Sequence, residues 1–158
     1  MPSLARAYLI TFRTHGTWLH GDGRLSAHQR QSNGYRSTAL VPSPTWRDRS
    51  LSWMNREAVV FDVESRAIVN AAISGVCAHR GWHLFALNAR TNHVHAVLSA
   101  SCPPEEAMAT FKAWSTRRLR ETGHVPVDAR VWARHGSTRR LWTEADVERA
   151  VGYVVEGQ

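Results

Sequence analysis

The stretch that decides the fold reads Thr91-Asn92-His93-Val94-His95-Ala96-Val97-Leu98. Apolar residues occupy every second position from Val94 to Leu98 and alternate with the two histidines, a period that predicts a β-strand. Residues two apart in a strand project from the same face, about 6.6 Å apart along it. His93 and His95 therefore share one face of this strand, while the opposite face is apolar and can be buried.

Paired imidazoles on one strand face admit two interpretations. Their spacing is short enough for both rings to converge on one cation, which would make the strand half of a metal site. The alternative is two histidines that are hydrogen-bonded separately on an exposed sheet face. The spacing alone leaves both open.

The length and composition indicate a single domain with a substantial core. The chain has 158 residues, of which 43% are hydrophobic, and no stretch approaches the ~20 apolar residues of a membrane span. The N-terminal residues lack the apolar region of a signal peptide. Cys77 and Cys102 are far apart without CxxC spacing, which is typical of reduced thiols. We therefore expect a cytoplasmic protein.

The charge is strongly basic. With 20 lysines and arginines against 13 acidic residues, the formal net charge is +7 and the isoelectric point is about 10.6. Lys112 is the only lysine, and the arginine guanidinium is a planar fork that pairs bidentately with phosphate. The excess indicates a polyanionic partner, above all nucleic acid. A GC-rich genome would explain arginine in place of lysine, but not the excess over acidic residues.

The remaining patterns predict an α+β fold. In order they are a strand at 7–13, a long irregular insertion at about 20–56, a helix at about 63–80, strands at about 82–89 and 93–99, a helix from 103 to about 121, a strand or hairpin within 131–142, and a last helix through Tyr153. The core of this order is the split βαβ of a ferredoxin-like fold. We expect one domain over 1–158, with an added C-terminal helix and the histidine face either open or covered by that helix.

Capping residues mark the helix boundaries. Asp62 is a candidate N-cap of the first helix, and Gly81 is its C-terminal stop. The segment from Thr143 to Asp146 resembles a capping box, with Asp in place of Glu, at the start of the last helix. Four residues of the second helix are expected to face inward: Met108, Phe111, Ser115 and Leu119. Much of its remaining surface is basic, through Lys112, Arg117, Arg118 and Arg120.

Tyr153 lies in the last helix. The apolar stripe of this helix is formed by Val147, Ala150, Val151 and Val154. At 100° per residue, Tyr153 falls about 110° from the centre of that stripe, at the edge of the buried face. Taken alone, this position predicts a boundary tyrosine with a packed ring and a hydrated hydroxyl.

Together these features resemble a known family. The Asn-His-hydrophobic-His strand is followed by a basic helix, a Trp-bearing segment, and a helix with the sequence Val151-Gly152-Tyr153-Val154-Val155-Glu156-Gly157-Gln158. This order resembles the single-tyrosine HUH transposases, the IS200-like group, and especially their REP-associated tyrosine transposase branch. The resemblance covers about 6–13 and 63–158, and the insertion at 20–56 is outside the usual pattern.

The resemblance implies a metal-dependent single-strand DNA endonuclease and strand transferase. It implies that His93 and His95 are metal ligands and that Tyr153 is the nucleophile, which forms a 5′-phosphotyrosine intermediate. Other readings remain beside it. Histidine-triad nucleotide hydrolases carry three alternating histidines on one strand, whereas the third position here is Val97.

The third metal ligand departs from the family pattern. Family members usually supply Gln or Asn one helical turn after the tyrosine, where this chain has Gly157. Glycine has no side chain to ligate, so Gln158 or Glu156 would substitute. The implied cofactor is Mg²⁺ or Mn²⁺, and two imidazoles suit Mn²⁺ better. Gly157 also favours a second function, a domesticated protein that binds DNA hairpins without cutting them.

The implied partner is single-stranded DNA with hairpin structure. Phosphate contacts would come from six basic residues: Arg90, Lys112, Arg117, Arg118, Arg139 and Arg140. Trp132 and Trp142 could stack on unpaired bases, although we expect at least one of them to be a core residue. A monomer and a homodimer are both compatible with the resemblance, so Tyr153 could act in its own subunit or in a partner's.

Overall fold

The computed structural model describes residues 4–16 and 58–156. The insertion expected at about 20–56 lies outside these residues, as do Gly157 and Gln158. The described residues form four strands and three helices: β1 (Ala7–Arg13), α1 (Val63–Arg80), β2 (His83–Ala89), β3 (His93–Ser99), α2 (Pro104–Glu121), β4 (Ser137–Leu141) and α3 (Glu144–Glu156). None of these three helices has the length and apolar content that a membrane crossing requires.

The four strands form one antiparallel sheet in the order β2-β3-β1-β4. β1 lies inside the sheet between two strands that follow it much later in the sequence. This order arises when two βαβ units are interleaved, with α1 and α2 as their helices. The predicted α+β, ferredoxin-like fold is confirmed, with α3 as the added C-terminal helix.

The helix ends are fixed by the predicted caps. The Asp62 carboxylate accepts a hydrogen bond from the Ser65 backbone N–H at 2.8 Å, and Gly81 ends α1 with φ of +72°. At the start of α3, Thr143 Oγ1 accepts from the Asp146 N–H and the Asp146 carboxylate accepts from the Thr143 N–H. These reciprocal bonds form the predicted capping box, because a shorter Asp still reaches the backbone amide.

The sheet is packed on both faces. One face is covered by α1 and α2 and contributes these strand residues to the larger core: Ile10, Phe12, Val94, Ala96 and Leu98. The other face is covered by α3, and its smaller core joins strand and helix residues: Ala7, Ala86, Val97, Leu141, Val147, Ala150 and Val154. The histidine face was expected to be either open or covered by the last helix, and in the structure α3 covers it.

The segment before β4 differs from a hairpin. Of the two alternatives predicted for 131–142, the structure forms a strand, β4, and Val131–Arg134 does not pair with it. Instead, the backbone of Trp132 forms an isolated antiparallel bridge to Thr14, just beyond the end of β1. Its ring is buried edge-on against Phe12 and Phe61, with centroid distances of 4.8 and 5.4 Å. The apolar residues that suggested a second strand serve core packing instead.

Gly136 brings the start of β4 close to β1. A Cβ at this position would lie 2.5 Å from Met108 Sδ and 2.7 Å from the Thr11 carbonyl oxygen. Only glycine lets the chain pass this near to the strand that pairs with the histidine strand.

Candidate active site

The histidine strand β3 lies between β1 and β2, which place polar residues beside its histidines. In the β1–β3 register, Thr11 pairs with His95 and Arg13 pairs with His93. In the β2–β3 register, Asn88 pairs with His95 from the other side. Because paired residues of adjacent antiparallel strands project from the same face, these five side chains share the face that α3 covers.

The rings of His93 and His95 contact each other edge to face, with centroids 4.7 Å apart and planes at 77°. The Nδ1–H of His93 donates a hydrogen bond to Asn92 Oδ1 at 2.7 Å, and a hydrogen bond of 2.9 Å joins His95 Nδ1 to Thr11 Oγ1. The rings therefore lie in contact, and each is also held by its own hydrogen bond. Since Nδ1 is used within the protein, Nε2 is the atom of each ring that would bind a metal ion.

The histidines are less exposed than an open sheet face would leave them. His95 is only 5% exposed because α3 lies over it. Burial lowers the pKa of His95 to about 4, and the charges of His93, Arg90 and Arg13 add to this effect. The pKa of His93 is lowered as well, first by burial and then by the same two arginines. Both imidazoles are therefore neutral at pH 7, the form that binds metal ions.

The ring of Tyr153 lies against the ring of His95, with centroids 5.4 Å apart and planes at 72°. Tyr153 is 50% exposed, whereas the next residue, Val154, is fully buried against the sheet. The predicted position at the edge of the buried face is confirmed. The tyrosine ring is thus held beside the histidines while half of the residue stays accessible to a ligand.

The paired histidines fit part of a divalent metal site. They supply two neutral nitrogen donors, a set that suits Mn²⁺ better than Mg²⁺. Within residues 4–16 and 58–156, no third His, Cys, Asp or Glu is grouped with them. Glu156 is exposed at the end of α3 and is not part of such a group, and Gln158 lies outside the described residues.

A groove of about 540 Å³ opens between the histidine face of the sheet and α3. Thr11 and His95 line its sheet side, and Tyr153 lines its helix side. Because Tyr153 and His95 border the same space, a ligand in the groove can contact both. His93 lies directly behind, with its ring against that of His95.

The groove is basic. Three arginines line it, namely Arg13 and Arg139 from the sheet and Arg149 from α3. Among the described residues that line it, Asp146 is the only acid, and its carboxylate is hydrogen-bonded to Arg149. The positive charge in excess of this pair can bind an anion, and the guanidinium groups suit a phosphate.

The six predicted phosphate contacts fall on both faces of the sheet. Arg139 lines the groove, and Arg90 lies within electrostatic reach of both histidines. Arg140 is the next residue along β4 and so projects from the opposite face. Thr138, two residues before Arg140 on β4, shares that face and donates a hydrogen bond to Glu105 of α2. Of these three, only Arg139 and Arg90 belong to the candidate site.

The other three predicted contacts lie on α2, across the sheet from the groove. Lys112 donates to two backbone carbonyl oxygens of the segment before β4, at 3.1 and 2.6 Å. Arg117 and Arg118 are exposed, and each forms an ion pair with Glu121 at 3.1 and 3.4 Å. These residues are a helix surface rather than a part of the groove.

Four residues of the site were not evident from the sequence: Thr11, Arg13, Asn88 and Arg149. Arg149 precedes Tyr153 by four residues, about one helical turn, and that spacing is a usable signal. Thr11 and Arg13 alternate on β1 as the histidines do on β3. Their alternation shows that they share a face, but not which strand they pair with.

Comparisons with known proteins give one family. The sequence matches the family described as "Transposase IS200 like" over residues 51–145, more than half of the chain; the match includes the histidine strand and ends before Tyr153. No curated protein matches the chain significantly. The structure is similar to that of a REP-associated tyrosine transposase bound to a REP hairpin, with 9% identity, a TM-score of 0.49, and coverage of 98% of this chain and 67% of that chain. It is also similar to a proposed transposase from Deinococcus radiodurans R1, with 13% identity, a TM-score of 0.46, and coverage of 95% and 88%.

The low pKa of His95 predicts that the metal-free protein loses stability as the pH falls. The imidazole titrates near 6.5 when unfolded and near 4 when folded. Between these values the unfolded state binds the proton and the folded state does not. The free energy of unfolding should therefore fall with pH, by roughly 1.4 kcal/mol per unit in this window. Urea unfolding in the presence of EDTA, from about pH 7 to about pH 4, measures this dependence.

The matched control is His95→Gln, which cannot titrate but keeps a hydrogen-bonding side chain beside Thr11. Other groups that protonate in acid affect both proteins alike. The stability of the wild type relative to this variant should be greatest above pH 6.5 and should decrease below it. A difference that stays constant over the whole range would show that His95 is not held neutral by the fold.

Proposed function

The chain belongs to the IS200-like transposase family, and we propose that it is a metal-dependent single-strand DNA endonuclease and strand transferase. In this proposal Tyr153 attacks a DNA phosphate and forms a 5′-phosphotyrosine intermediate. The observation that carries the proposal is the contact between the Tyr153 and His95 rings, 5.4 Å between centroids, at the border of a basic groove. A candidate nucleophile, one of the two candidate metal ligands and three arginines thus border one space.

The proposed reaction has two steps. In the first, Tyr153 Oη forms a bond to phosphorus while the P–O3′ bond opposite breaks; the phenol gives up its proton and the departing 3′ oxygen gains one. In the second, a 3′ hydroxyl attacks the phosphotyrosine, the bond between phosphorus and Oη breaks, and the phenol is restored. The phosphotyrosine keeps the energy of the broken phosphodiester, so strands are joined without ATP.

His93 and His95 are the residues that would hold the metal ion, with Glu156 or Gln158 as the proposed third protein ligand. When bound, Mg²⁺ or Mn²⁺ neutralises charge on the phosphate and polarises its phosphorus. The protein contributes two imidazoles that are already neutral and already oriented through their Nδ1 hydrogen bonds. Neither ring has to lose a proton at neutral pH before it ligates. For His93, the Nδ1–H that donates to Asn92 Oδ1 leaves Nε2 unprotonated and ready to bind a metal ion.

We assign the DNA backbone to the groove. Arg13, Arg139 and Arg149 line it and are the proposed phosphate contacts, together with Arg90 beside the histidines. The predicted contacts on α2 lie across the sheet from this groove and stay a prediction that the arginine variants below test. Trp142 is 48% exposed and is available to stack on a base. The choice of single-stranded DNA with hairpin structure rests on the family resemblance, because arginine charge alone does not distinguish it from other nucleic acids.

A second candidate function is hairpin binding without cleavage. It is favoured by Gly157 at the family's ligand position and by the lack of a third His, Cys, Asp or Glu grouped with the two histidines among the described residues. A binder would keep the basic groove and its salt-dependent affinity but would form no covalent adduct. Adduct formation therefore separates the two functions.

Tyr153→Phe removes the attacking oxygen and keeps the ring against His95. Covalent adduct formation should fall by roughly 1,000-fold or more, while folding and DNA binding persist. The measurement is mass spectrometry of the protein after incubation with hairpin-bearing single-stranded DNA and Mn²⁺. The control is Tyr8→Phe, since Tyr8 packs against the core on the opposite face of the sheet. An adduct that survives in Tyr153→Phe, or one mapped to another tyrosine, would refute the assignment.

His93→Ala removes one proposed metal ligand, and His93 is the better choice because His95 is more deeply buried. Calorimetric titration should show one Mn²⁺ site in the wild type and none in the variant. Adduct formation should fall by roughly 100-fold or more, since the metal contributes several kcal/mol to the transition state. His83→Ala is the control, because His83 is exposed on β2 and contacts Phe85 instead. Equal Mn²⁺ binding by the wild type and His93→Ala would rule out the site.

Arg139→Gln removes a groove arginine, and Arg117→Gln removes an arginine of the same charge from α2. The first should weaken DNA binding and reduce the slope of log affinity against log salt by about 0.7, the value for one phosphate contact to a single strand. The second should change neither quantity. Fluorescence anisotropy at several salt concentrations measures both. If Arg117→Gln has the larger effect, the DNA lies on the α2 side and not in the groove.

A further inference from the structure

The turn of α3 that carries Tyr153 has little intrinsic stability. Gly152 directly precedes Tyr153. Glycine in the interior of a helix destabilises the helix more than any other residue except proline. Tyr153 and the three residues after it are the last of the helix, and the final four carbonyl groups of a helix have no partner within it. The last turn carries no basic side chain that could bond those carbonyls. Its position must therefore be set by contacts with the sheet.

Asn88 supplies such a contact. Its side-chain amide donates a hydrogen bond of 3.1 Å to the carbonyl oxygen of Val154, the residue after Tyr153. Asn88 also pairs with His95 across β2 and β3. One side chain thus links the strand position beside the buried histidine to the helix turn that carries the tyrosine.

We infer that Asn88 is a positioning residue that holds Tyr153 in register with the histidine pair through the carbonyl group of Val154. The inference rests on the proposed function, since it assigns Asn88 a part in the attack by Tyr153. Burial of Val154 fixes how far α3 is rotated, because Tyr153 is the neighbouring residue at 100° around the helix. The Asn88 hydrogen bond is directional and fixes where the turn lies along the strands, which a purely apolar contact does less well.

The effect belongs to the chemical step rather than to binding. Covalent attack by a tyrosine needs the oxygen close to phosphorus and in line, and a misplacement of about 1 Å can cost about 100-fold in rate. Asn88 carries no charge and is not one of the groove arginines, so its loss leaves the phosphate contacts in place. It is not a proposed metal ligand either, so Mn²⁺ affinity should be retained.

The chain offers a matched control in Asn70. Its side-chain oxygen accepts a hydrogen bond of 3.1 Å from the backbone N–H of Ala89. Asn70 lies on α1, so it ties β2 to the helical layer on the opposite face. Asn70→Ala and Asn88→Ala each remove an asparagine side chain that forms a hydrogen bond with a backbone group, and both bonds lie near the end of β2. Only Asn88→Ala removes a contact with the turn of α3 that carries Tyr153.

Gly152 offers a rescue. A Cβ built at this position meets no atom within 4 Å, so Gly152→Ala fits and stabilises the helix turn. If Asn88 acts by ordering that turn, Gly152→Ala should restore part of what Asn88→Ala loses. It should do little in the wild type, where the turn is already held.

The experiment measures two quantities in each protein. Amide hydrogen exchange reports on the order of the peptide over 150–156, and the single-turnover rate of adduct formation at saturating DNA and Mn²⁺ reports on the chemical step. Asn88→Ala should lose exchange protection in this peptide and slow the adduct rate by about 10- to 100-fold, with DNA and Mn²⁺ affinities unchanged. Asn70→Ala should keep both, and Gly152→Ala should recover part of both in the double variant. Asn88→Ser, which is polar but too short to reach the carbonyl, replaces Asn88→Ala if the latter folds poorly.

Three results would overturn the inference. Asn88→Ala could keep wild-type protection over 150–156, it could lose protection without any loss of rate, or Asn70→Ala could slow the reaction equally. The failure of the proposed function looks different, because the wild type would then form no adduct. In that case the exchange comparison still decides whether Asn88 holds the helix end.

Discussion

The candidate site depends on the burial of β3 on both faces. This strand has a neighbour on each edge and a helical layer on each side, and its residues from Val94 to Leu98 are all buried. A shift of the pairing by one residue would turn the histidines into the larger core and the apolar residues toward the groove. The register is therefore strongly specified, and it is this register that places Thr11, Arg13 and Asn88 beside the histidines.

Burial and positive charge act on the histidines in the same direction. Burial disfavours the imidazolium ion, and Arg13 and Arg90 disfavour it further. The positive potential that keeps the imidazoles neutral is also one that attracts a phosphodiester. The two requirements of the proposed chemistry, unprotonated nitrogen ligands and a bound phosphate, thus arise from one arrangement of charge. A carboxylate in place of either arginine would work against both.

The sequence predicted what is local and left open what depends on pairing. The ends of α1 follow from Asp62 and Gly81, and the start of α3 follows from the capping box, because each is a contact between residues close in sequence. The place of Tyr153 at the edge of the buried face follows from the helical period. The register of β1 against β3 joins residues that are 80 to 90 positions apart, and no periodicity encodes it.

Strand pairing and alternation also decide on which face of the sheet each basic residue lies, and the composition alone does not show this. Arg139 and Arg140 are neighbours in sequence, but alternation along β4 sends them to opposite faces of the sheet. Trp132 and Trp142 look alike as stacking residues, yet Trp132 is 7% and Trp142 48% exposed. A count of arginines or tryptophans predicts the kind of partner, and only the sheet topology decides which of them share the face with the groove.

The helix α3 covers one face of the sheet and also carries the proposed nucleophile, Tyr153. Its apolar residues close the smaller core, and its two ends are tied down separately. Reciprocal hydrogen bonds between Thr143 and Asp146 fix the first turn, and Asn88 bonds the last one. Between these ends, burial of Val154 sets the rotation that turns Tyr153 toward His95. Tyr153 is therefore placed by the packing of its neighbours, and a change that loosens this core should displace the tyrosine before it unfolds the sheet.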